Sequence, residues 1–328
     1  MNTKTILDVD IEAERAWLNA QKAEIDTETG NPVSWEKLGR SIGVNHSTLS
    51  LFGIKNYSGR NDRIADSIRK YREAQERRTA MRRGLIEEPH YVEMPTATSI
   101  NSLLEFALSG QITMACTGPG TSKTYIAKRF KQSAPKNVWM VTMKPAKKRL
   151  SPMVATVLSA LGGTPRLSTS WNSDQVEDLM LRTKGCLIVD EANNLDFESL
   201  EQLRAWHDST GVGICLLGNQ DLIKTIESGP HAQALGRLKS RIDRNLVQDL
   251  PREEDVSAYL DAWGIEDAAM RNLLMNAGRH RGSGGLREIK KIILSASQTA
   301  AVLGQPLSRQ FLARAQEERS TRILRAVA

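Results

Sequence analysis

The chain has 328 residues, enough for two or three domains, and its 40% hydrophobic and 25% charged residues are typical of a globular protein. No apolar run approaches the roughly 20 residues that cross a bilayer, which argues against a membrane protein. Acidic residues among the first dozen positions, without an apolar signal core, argue against secretion, so a cytoplasmic protein is expected. The cysteines lie in short apolar runs without disulfide or metal-ligand spacing, and we expect reduced, buried thiols at Cys116, Cys186 and Cys215.

The net charge of +7 and the isoelectric point near 9.3 favour a polyanionic partner such as nucleic acid. Two basic clusters stand out. Between Arg60 and Arg83 there are nine Lys or Arg residues against four acids. A second cluster contains no acid and consists of Lys144, Lys147, Lys148 and Arg149. A basic cluster taken alone is more often a solvated surface than a binding site. We therefore treat these clusters as DNA-contact candidates only in combination with other sequence features that indicate DNA binding.

Residues 1–75 have the pattern of short helices joined by glycine turns, and residues 34–56 fit a helix-turn-helix. Gly43 stands at the sharp turn, and the residues spaced to pack the two helices together are Trp35, Leu38, Ile42, Val44 and Leu49. A three-helix structural module is the alternative, but the basic flank favours DNA contact. The candidate contacts are Asn45, His46, Ser47, Thr48, Lys55, Arg60 and Arg63. The second helix carries no Arg or Lys, so the module is expected to position DNA more than to select it.

A basic linker is predicted at 76–95, and residues 96–250 alternate strand-like apolar runs with amphipathic helices. The strand-like runs are ITMACTG, NVWMVTM, GCLIVDEA, GICLLGN and NLVQDL. Such alternation predicts an α/β core in which helices sandwich a mostly parallel sheet. Residues 251–328 show a helical pattern only, so a C-terminal helical domain is expected after the core.

The first strand-like run of the core leads into a candidate phosphate loop and then a helix. The loop residues are Gly118, Pro119, Gly120, Thr121, Ser122, Lys123 and Thr124. A phosphate site needs inward-pointing backbone N–H groups, a helix N-terminus, a lysine and a hydroxyl for magnesium, and Lys123 and Thr124 supply the last two. The common pattern has glycine at both ends of the loop, where this chain has Thr117 and Ser122. A chance Gly/Ser-rich turn is the alternative for the loop taken alone.

Further polar residues follow in an order that fits nucleotide hydrolysis. The run GCLIVDEA ends in Asp190 and Glu191, the pattern in which one carboxylate holds magnesium and the next activates water. GICLLGN ends in Asn219, which is able to orient water beside a γ-phosphate. Three arginines complete the set: Arg237 and Arg241 in RLKSRI, and Arg287 at the start of a predicted helix in the C-terminal block.

This ordered set resembles an AAA+ ATPase, and more narrowly the Mu B family of phage transposition proteins. The phrases NVWMVTMKP, LIVDEANNLDFESLEQLR, STGVGICLLGN and RLKSRI carry the resemblance, which extends over nearly the whole chain. It implies that Lys123 and Thr124 serve the phosphates and magnesium, Asp190 magnesium, and Glu191 the catalytic base. Asn219 would be sensor 1, Arg241 the finger acting in trans with Arg237 assisting, and Arg287 sensor 2.

The resemblance further implies an ATP-dependent filament or ring of identical subunits on double-stranded DNA, largely indifferent to sequence, that captures target DNA and stimulates a DDE transposase. Two alternatives remain. One is a helix-turn-helix repressor with a nucleotide switch, which the altered phosphate loop would favour. The other is a replication initiator or helicase loader, since those proteins share the arginine box. The helix-turn-helix stands first in the chain and no DNA-binding domain follows the helical block, an order that counts against the initiators.

Overall fold

The computed structural model describes residues 9–26, 31–82, 86–134 and 136–325. By their internal contacts the residues fall into two compact units, Met1–Leu85 and Ile86–Ala328. Residues 83–85 of the predicted basic linker lie outside the described part. None of the helices in the described ranges combines the length and the apolar character needed to span a membrane.

The described residues of the first unit form mainly helices. Its helices are α1 (Ile11–Ala23), α2 (Trp35–Ile42), α3 (His46–Gly53) and α4 (Asn61–Arg82). Because of its good helix formers and its i,i+4 pairs such as Arg72–Glu76, α4 continues into the first residues of the predicted linker.

Helices α2 and α3 lie in the segment for which the helix-turn-helix was predicted. The hydroxyl of Ser34 caps α2 by accepting from the backbone N–H of Lys37 at 3.1 Å. Gly43 ends α2 with φ 80°, a left-handed conformation that glycine adopts without strain. All five residues predicted to pack the helices contribute to one cluster, with Leu38 and Leu49 buried in it and Trp35, Ile42 and Val44 packed against it.

The second unit is built on a parallel five-stranded sheet with the order β2-β3-β4-β1-β5. The strands are β1 (Ile112–Thr117), β2 (Val138–Thr142), β3 (Cys186–Asp190), β4 (Gly213–Gly218) and β5 (Ile242–Gln248). Each of the five strand-like runs in the sequence therefore forms a strand. Since all strands are parallel, the segments that follow them meet at one edge of the sheet, which is where ligands bind in open α/β folds.

Helices cover the sheet and continue into the C-terminal block. Those within the sheet region are α5 (Pro95–Leu108), α6 (Lys123–Ser133), α7 (Leu150–Ala160), α8 (Thr169–Thr183), α9 (Phe197–Thr210), α10 (Gln220–Glu227) and α11 (Gly236–Lys239). Those after β5 are α12 (Glu253–Ala262), α13 (Ala268–Arg279), α14 (Leu286–Val302) and α15 (Arg309–Arg325). The predicted helical block is thus confirmed.

Two apolar clusters lie on the two faces of the sheet. One joins Ala115, Ile188 and Leu217 to residues of α5, α6 and the C-terminal helices. The other contains Met114 and Leu216 with residues of α7, α8 and α9. Burial on both faces explains the continuous apolar runs of the central strands. The three cysteines are free and buried, as predicted, and burial raises the pKa of the Cys116 and Cys215 thiols to about 12.

Candidate nucleotide-binding site

The phosphate loop leaves β1 and is fixed to the neighbouring strand by backbone contacts. The N–H of Gly118 donates to the carbonyl oxygen of Gln248 at 2.8 Å. A Cβ atom on Gly118 would lie only 1.8 Å from the carbonyl oxygen of Asp249, so the first glycine is required by close packing. Thr117, which stands where the common loop has glycine, is held by a hydrogen bond, because its hydroxyl lies 2.6 Å from the hydroxyl of Thr121. The Thr121 hydroxyl also donates to the carbonyl oxygen of Gly118.

Ser122 stands immediately before the lysine of the loop and has φ 65°. This left-handed conformation is the one glycine adopts freely and a serine adopts at a cost of about 1 kcal/mol or more. The replacement of glycine at this position therefore strains the backbone without abolishing the loop conformation. Lys123 then begins α6, so the loop leads directly into a helix N-terminus.

Asp190 ends β3 and is completely buried. The hydroxyl of Thr124 donates to its two carboxylate oxygens at 3.0 and 3.2 Å, and the hydroxyl of Thr142 lies 3.5 Å from one of them. Burial raises the pKa of Asp190, and the hydrogen bond from Thr124 acts in the opposite direction. The sequence-predicted pair, hydroxyl and carboxylate, is therefore brought together from α6 and β3.

Glu191 and Asn219 follow adjacent strands and border the same cavity. Glu191 has φ 55°, which is unusual for a residue with a side chain and is typical of functional sites. One of its carboxylate oxygens lies 4.0 Å from Nζ of Lys123. The backbone N–H of Asn219 donates to the side chain of Asn193 at 3.3 Å, a contact that the sequence did not predict. The Asn219 side-chain oxygen caps α10 by accepting from Asp221 at 2.8 Å.

The C-terminal helices approach the phosphate loop at the start of α14. The N–H of Leu286 donates to the carbonyl oxygen of Gly120 at 3.0 Å. The next residue, Arg287, is exposed, lines the cavity and forms no ion pair with any described residue. The sequence-predicted position of Arg287 at a helix start is confirmed, and its side chain borders the same cavity as Lys123.

These groups surround one cavity of about 570 Å³, a volume suited to a nucleotide. Several of its lining residues were not predicted, because they come from the segment before α5 and from α12 and α14. They include Glu88, Pro89, His90, Tyr91, Tyr259 and Lys290. Lys290 forms an ion pair with Glu88, which ties α14 to that segment beside the cavity. No local motif marks these residues, so only the fold identifies them.

Arg241 lies at the opposite edge of the sheet from this cavity. β5 runs parallel to β1, with Ile242 beside Ile112 and Gln248 beside Thr117. The phosphate loop follows Thr117, whereas Arg241 precedes Ile242. Six strand steps separate the two edges by about 20 Å, more than an arginine side chain spans. Arg241 therefore cannot reach the candidate nucleotide site of its own chain.

The two arginines of the RLKSRI box have different surroundings. Arg237 lies on the short helix α11, is exposed and forms no ion pair with any described residue. Arg241 lies beyond the end of α11, and its Nε donates to Asp208 at 3.0 Å. Their four-residue spacing in sequence thus does not place them on one helix.

The predicted DNA contacts of the first unit lie around α3. His46 and Ser47 are exposed, Thr48 is half-buried, and the side chain of Asn45 caps α3 by accepting from Ser47 at 2.9 Å.

The predicted phosphate-contacting cations of this unit differ in their partners. Lys55 lies 2.7 Å from a carboxylate oxygen of Glu12, and Arg60 lies 2.5 Å from Asp62. Arg63 is exposed and forms no ion pair among the described residues.

The second basic cluster forms a turn after β2, which we call the basic turn (residues 144–149). It lies at the same edge of the sheet as the phosphate loop. The carbonyl oxygen of Lys148 accepts from the N–H of Asp196 at 3.2 Å and from the hydroxyl of Ser199 at 3.0 Å, which holds the turn in place. Within the described ranges, none of its basic side chains forms an ion pair: Lys144, Lys147, Lys148 and Arg149.

The buried carboxylate of Asp190 and the hydroxyl of Thr124 fit a magnesium ion. Magnesium in nucleotide sites takes one or two protein ligands and completes its shell with phosphate oxygens and water. The described residues contain no group of three or more His, Cys, Asp or Glu placed to hold a metal. Asp190 and Thr124 would therefore share the magnesium ion with phosphate oxygens and water.

Comparison with known families assigns the two parts of the second unit. A family model described as an AAA domain matches residues 107–226, and one described as the C-terminal part of the Mu B transposition protein matches residues 240–318. The Mu-like prophage FluMu DNA transposition protein B of Haemophilus influenzae is 31% identical over 259 residues, which cover 78% of this chain and 88% of that protein. The chain belongs to the Mu B family of DNA transposition proteins.

Two further members of the Mu B family are the ATP-dependent target DNA activators B of Escherichia phages Mu and D108. Each is 28% identical over 288 residues, which cover 87% of this chain and 90% of the relative. Among solved structures, domain III of the Thermotoga maritima replication initiation protein DnaA aligns with a TM-score of 0.45 and 16% identity, over 70% of this chain and 94% of that one. The AAA match includes the phosphate loop, Asp190, Glu191 and Asn219, whereas the Mu B match includes Arg241 and Arg287.

Proposed function

We propose that this chain is a magnesium-dependent ATPase that binds double-stranded DNA with little sequence preference and presents it to a DDE transposase. The observation that carries the proposal is the single cavity bordered by Lys123, Glu191, Asn219 and Arg287 in a member of the Mu B family. Relatives named as ATP-dependent target DNA activators support the same function. They give no support to the repressor and the helicase-loader hypotheses.

Each residue of the cavity has a part in hydrolysis. Lys123 and the loop N–H groups bind the phosphates, and Arg287 approaches the γ-phosphate from the start of α14. Glu191 takes a proton from the attacking water, and Asn219 orients that water. Magnesium, when bound at Asp190 and Thr124, neutralises charge on the phosphate oxygens.

Arg241 lies about 20 Å from the nucleotide site of its own chain, so it can take part in hydrolysis only at the site of a second subunit. We assign Arg241 to the nucleotide of a neighbour, where its charge stabilises the developing negative charge on the γ-phosphate. The protein therefore assembles as a filament or ring of identical subunits on DNA. Arg237, exposed on α11, assists at the same interface.

DNA binding is assigned to the basic turn and to the first unit. The unpaired cations of residues 144–149 contact phosphates, which carry no sequence information. In the first unit, the start of α3 and Arg63 position the duplex.

The test is ATP hydrolysis with and without DNA. We expect stimulation by DNA, and we expect Glu191→Gln to bind ATP normally while losing hydrolysis, so that its ATP-bound assembly persists on DNA. Asp221→Asn, which removes an exposed carboxylate two residues beyond Asn219, is the control and retains activity. Normal hydrolysis by Glu191→Gln would remove Glu191 from the role of base, and hydrolysis indifferent to DNA would contradict the proposed function.

A further inference from the structure

Asp208 occupies a position that no sequence motif marks, at the end of α9 and beside the arginine box. One of its carboxylate oxygens accepts from Nε of Arg241 at 3.0 Å, and the other accepts from Nη1 of Arg204 at 2.5 Å. Both oxygens are therefore bound to guanidinium groups. Although partial burial opposes its ionisation, hydrogen bonding and attraction to Arg241, together with Arg204, lower the pKa of Asp208.

The carboxylate is held rigidly by its own helix. Arg204 also donates from Nε to Glu201 at 3.1 Å, and its side chain is only 17% exposed. The spacing i, i+3, i+7 places Glu201, Arg204 and Asp208 on one face of α9. Leu203 and Trp206 anchor the helix in the apolar cluster that contains Met114 and Leu216. The acid that holds Arg241 is thus part of an ordered row of charges.

The way in which Arg241 is held leaves most of its guanidinium available. Asp208 binds Nε, and Nη1 makes a long contact of 3.3 Å with the hydroxyl of Ser240. Nη2 has no partner among the described residues, and 48% of the side chain is exposed. A guanidinium fixed at Nε retains terminal N–H groups that match two oxygens of a phosphate. Arg237 has no comparable carboxylate among the described residues.

We propose that Asp208, braced by Arg204, is a positioning residue that holds Arg241 ready for the nucleotide of a neighbouring subunit. The inference rests on the proposed role of Arg241 in trans. Fixing the side chain before assembly removes the loss of rotamer freedom that an exposed arginine would otherwise undergo at the interface. It also keeps the cation in the geometry that hydrolysis requires, where a misplacement of about 1 Å costs up to 100-fold in rate.

The test compares Asp208→Ala and Asp208→Asn with Asp178→Ala. Asp178 forms an exposed ion pair with Arg182 on α8, so its loss controls for removing a helical carboxylate from the surface. We expect Asp208→Ala to leave ATP affinity of the unassembled protein unchanged and to lower DNA-stimulated kcat about tenfold or more. Asp208→Asn keeps an acceptor oxygen for Nε of Arg241, so its DNA-stimulated kcat should lie between those of the alanine variant and the wild type. Asp178→Ala should match the wild type.

Mixing experiments separate positioning from folding and from the assignment of Arg241. Asp208→Ala mixed with Glu191→Gln should recover part of the activity, since one subunit offers an intact base and the other an intact finger. Asp208→Ala mixed with Arg241→Ala should recover nothing, because both lesions lie on the same side of the interface. Recovery in that second mixture, or an unchanged kcat in both Asp208 variants, would overturn the proposal.

The Arg241→Ala variant alone tests the underlying assignment. Full hydrolysis by Arg241→Ala, or no recovery when it co-assembles with Glu191→Gln, would refute the trans role and the role of Asp208 with it. Should Asp208→Ala fail to fold, as judged by its thermal melting, the kcat measurement and the mixing experiments are made with Asp208→Asn instead.

Discussion

The carbonyl oxygen of Gly120, in the phosphate loop, accepts a hydrogen bond of 3.0 Å from the backbone N–H of Leu286, in the C-terminal helices. A Cβ atom on Gly120 would lie 1.7 Å from the carbonyl oxygen of Gly284, so the two backbones are in direct contact. This contact sets the start of α14, and therefore Arg287, against the loop that binds phosphate. We expect the orientation of the C-terminal helices and phosphate binding to be coupled through it.

Gly285→Ala and Gly284→Ala test that coupling as a matched pair. Both glycines have positive φ, so both substitutions strain the backbone and lower the melting temperature. Only the Cβ at position 285 would meet the phosphate loop, 2.8 Å from the carbonyl oxygen of Pro119, whereas position 284 has open space. Gly285→Ala should therefore weaken ATP binding about tenfold more than Gly284→Ala, equivalent to roughly 1.4 kcal/mol. Equal ATP affinities would show that the contact does not couple the two elements.

Ser122→Gly should relieve the left-handed strain at the end of the phosphate loop. The relief of about 1 kcal/mol is partly offset by the greater freedom of glycine in the unfolded chain. We expect an unchanged or slightly higher melting temperature and hydrolysis that is faster or unchanged. Lys184→Gly should relieve a similar left-handed strain at the end of α8, away from the cavity, and should leave hydrolysis unaltered. A large loss of activity in Ser122→Gly alone would show that the serine hydroxyl has a role of its own.

Asp190→Asn should stabilise the nucleotide-free protein while removing its response to magnesium and ATP. Because burial raises the pKa of Asp190 above its ordinary value, the folded state holds this proton more tightly than the unfolded state does. The free energy of unfolding then decreases as pH rises from the ordinary carboxyl pKa through the raised value, and the loss persists at neutral pH. We expect the variant to melt at a higher temperature than the wild type near pH 7, with no further increase from magnesium and ATP. A lower melting temperature at neutral pH would contradict this account of the site.

The basic turn should bind phosphates without regard to sequence. Lys148→Ala is expected to weaken binding equally for unrelated duplexes and to reduce the slope of log affinity against log salt by about 1. Lys131→Ala removes the same charge from the far end of α6, close to the opposite edge of the sheet, and should leave the slope unchanged. A weakening that depends on the duplex sequence would instead indicate base contacts at the turn.

The central site was largely predictable because its residues stand at the ends of recognisable elements. Lys123 and Thr124 follow a buried strand, and Asp190 and Glu191 end another, so parallel pairing brings them to one edge. The contacts that complete the site come from distant segments. The segment around His90 precedes the sheet, and Asp208 meets Arg241 across 33 positions of sequence. Neither juxtaposition has a periodicity or a motif, since each depends on how whole helices pack.

Backbone conformation was the other feature that residue types did not specify. Ser122 was recognisable as a departure from the common loop, but its positive φ is visible only in the structure. The same is true of Glu191, whose left-handed conformation follows from the turn between β3 and α9. Such conformations are imposed by the surrounding structure against local preference, and side-chain patterns therefore do not report them.

The most direct test of the account is the binding of this protein to two unrelated duplexes of equal length, each with ATP, with ADP and without nucleotide. Lys123→Ala serves as the control, because no other described residue of the phosphate loop supplies a cation. We predict that the protein coats both duplexes with similar affinity only when ATP and magnesium are present, and that Lys123→Ala coats neither. Strong preference for one duplex, or equal coating without nucleotide, would contradict an ATP-dependent and sequence-independent DNA-binding ATPase.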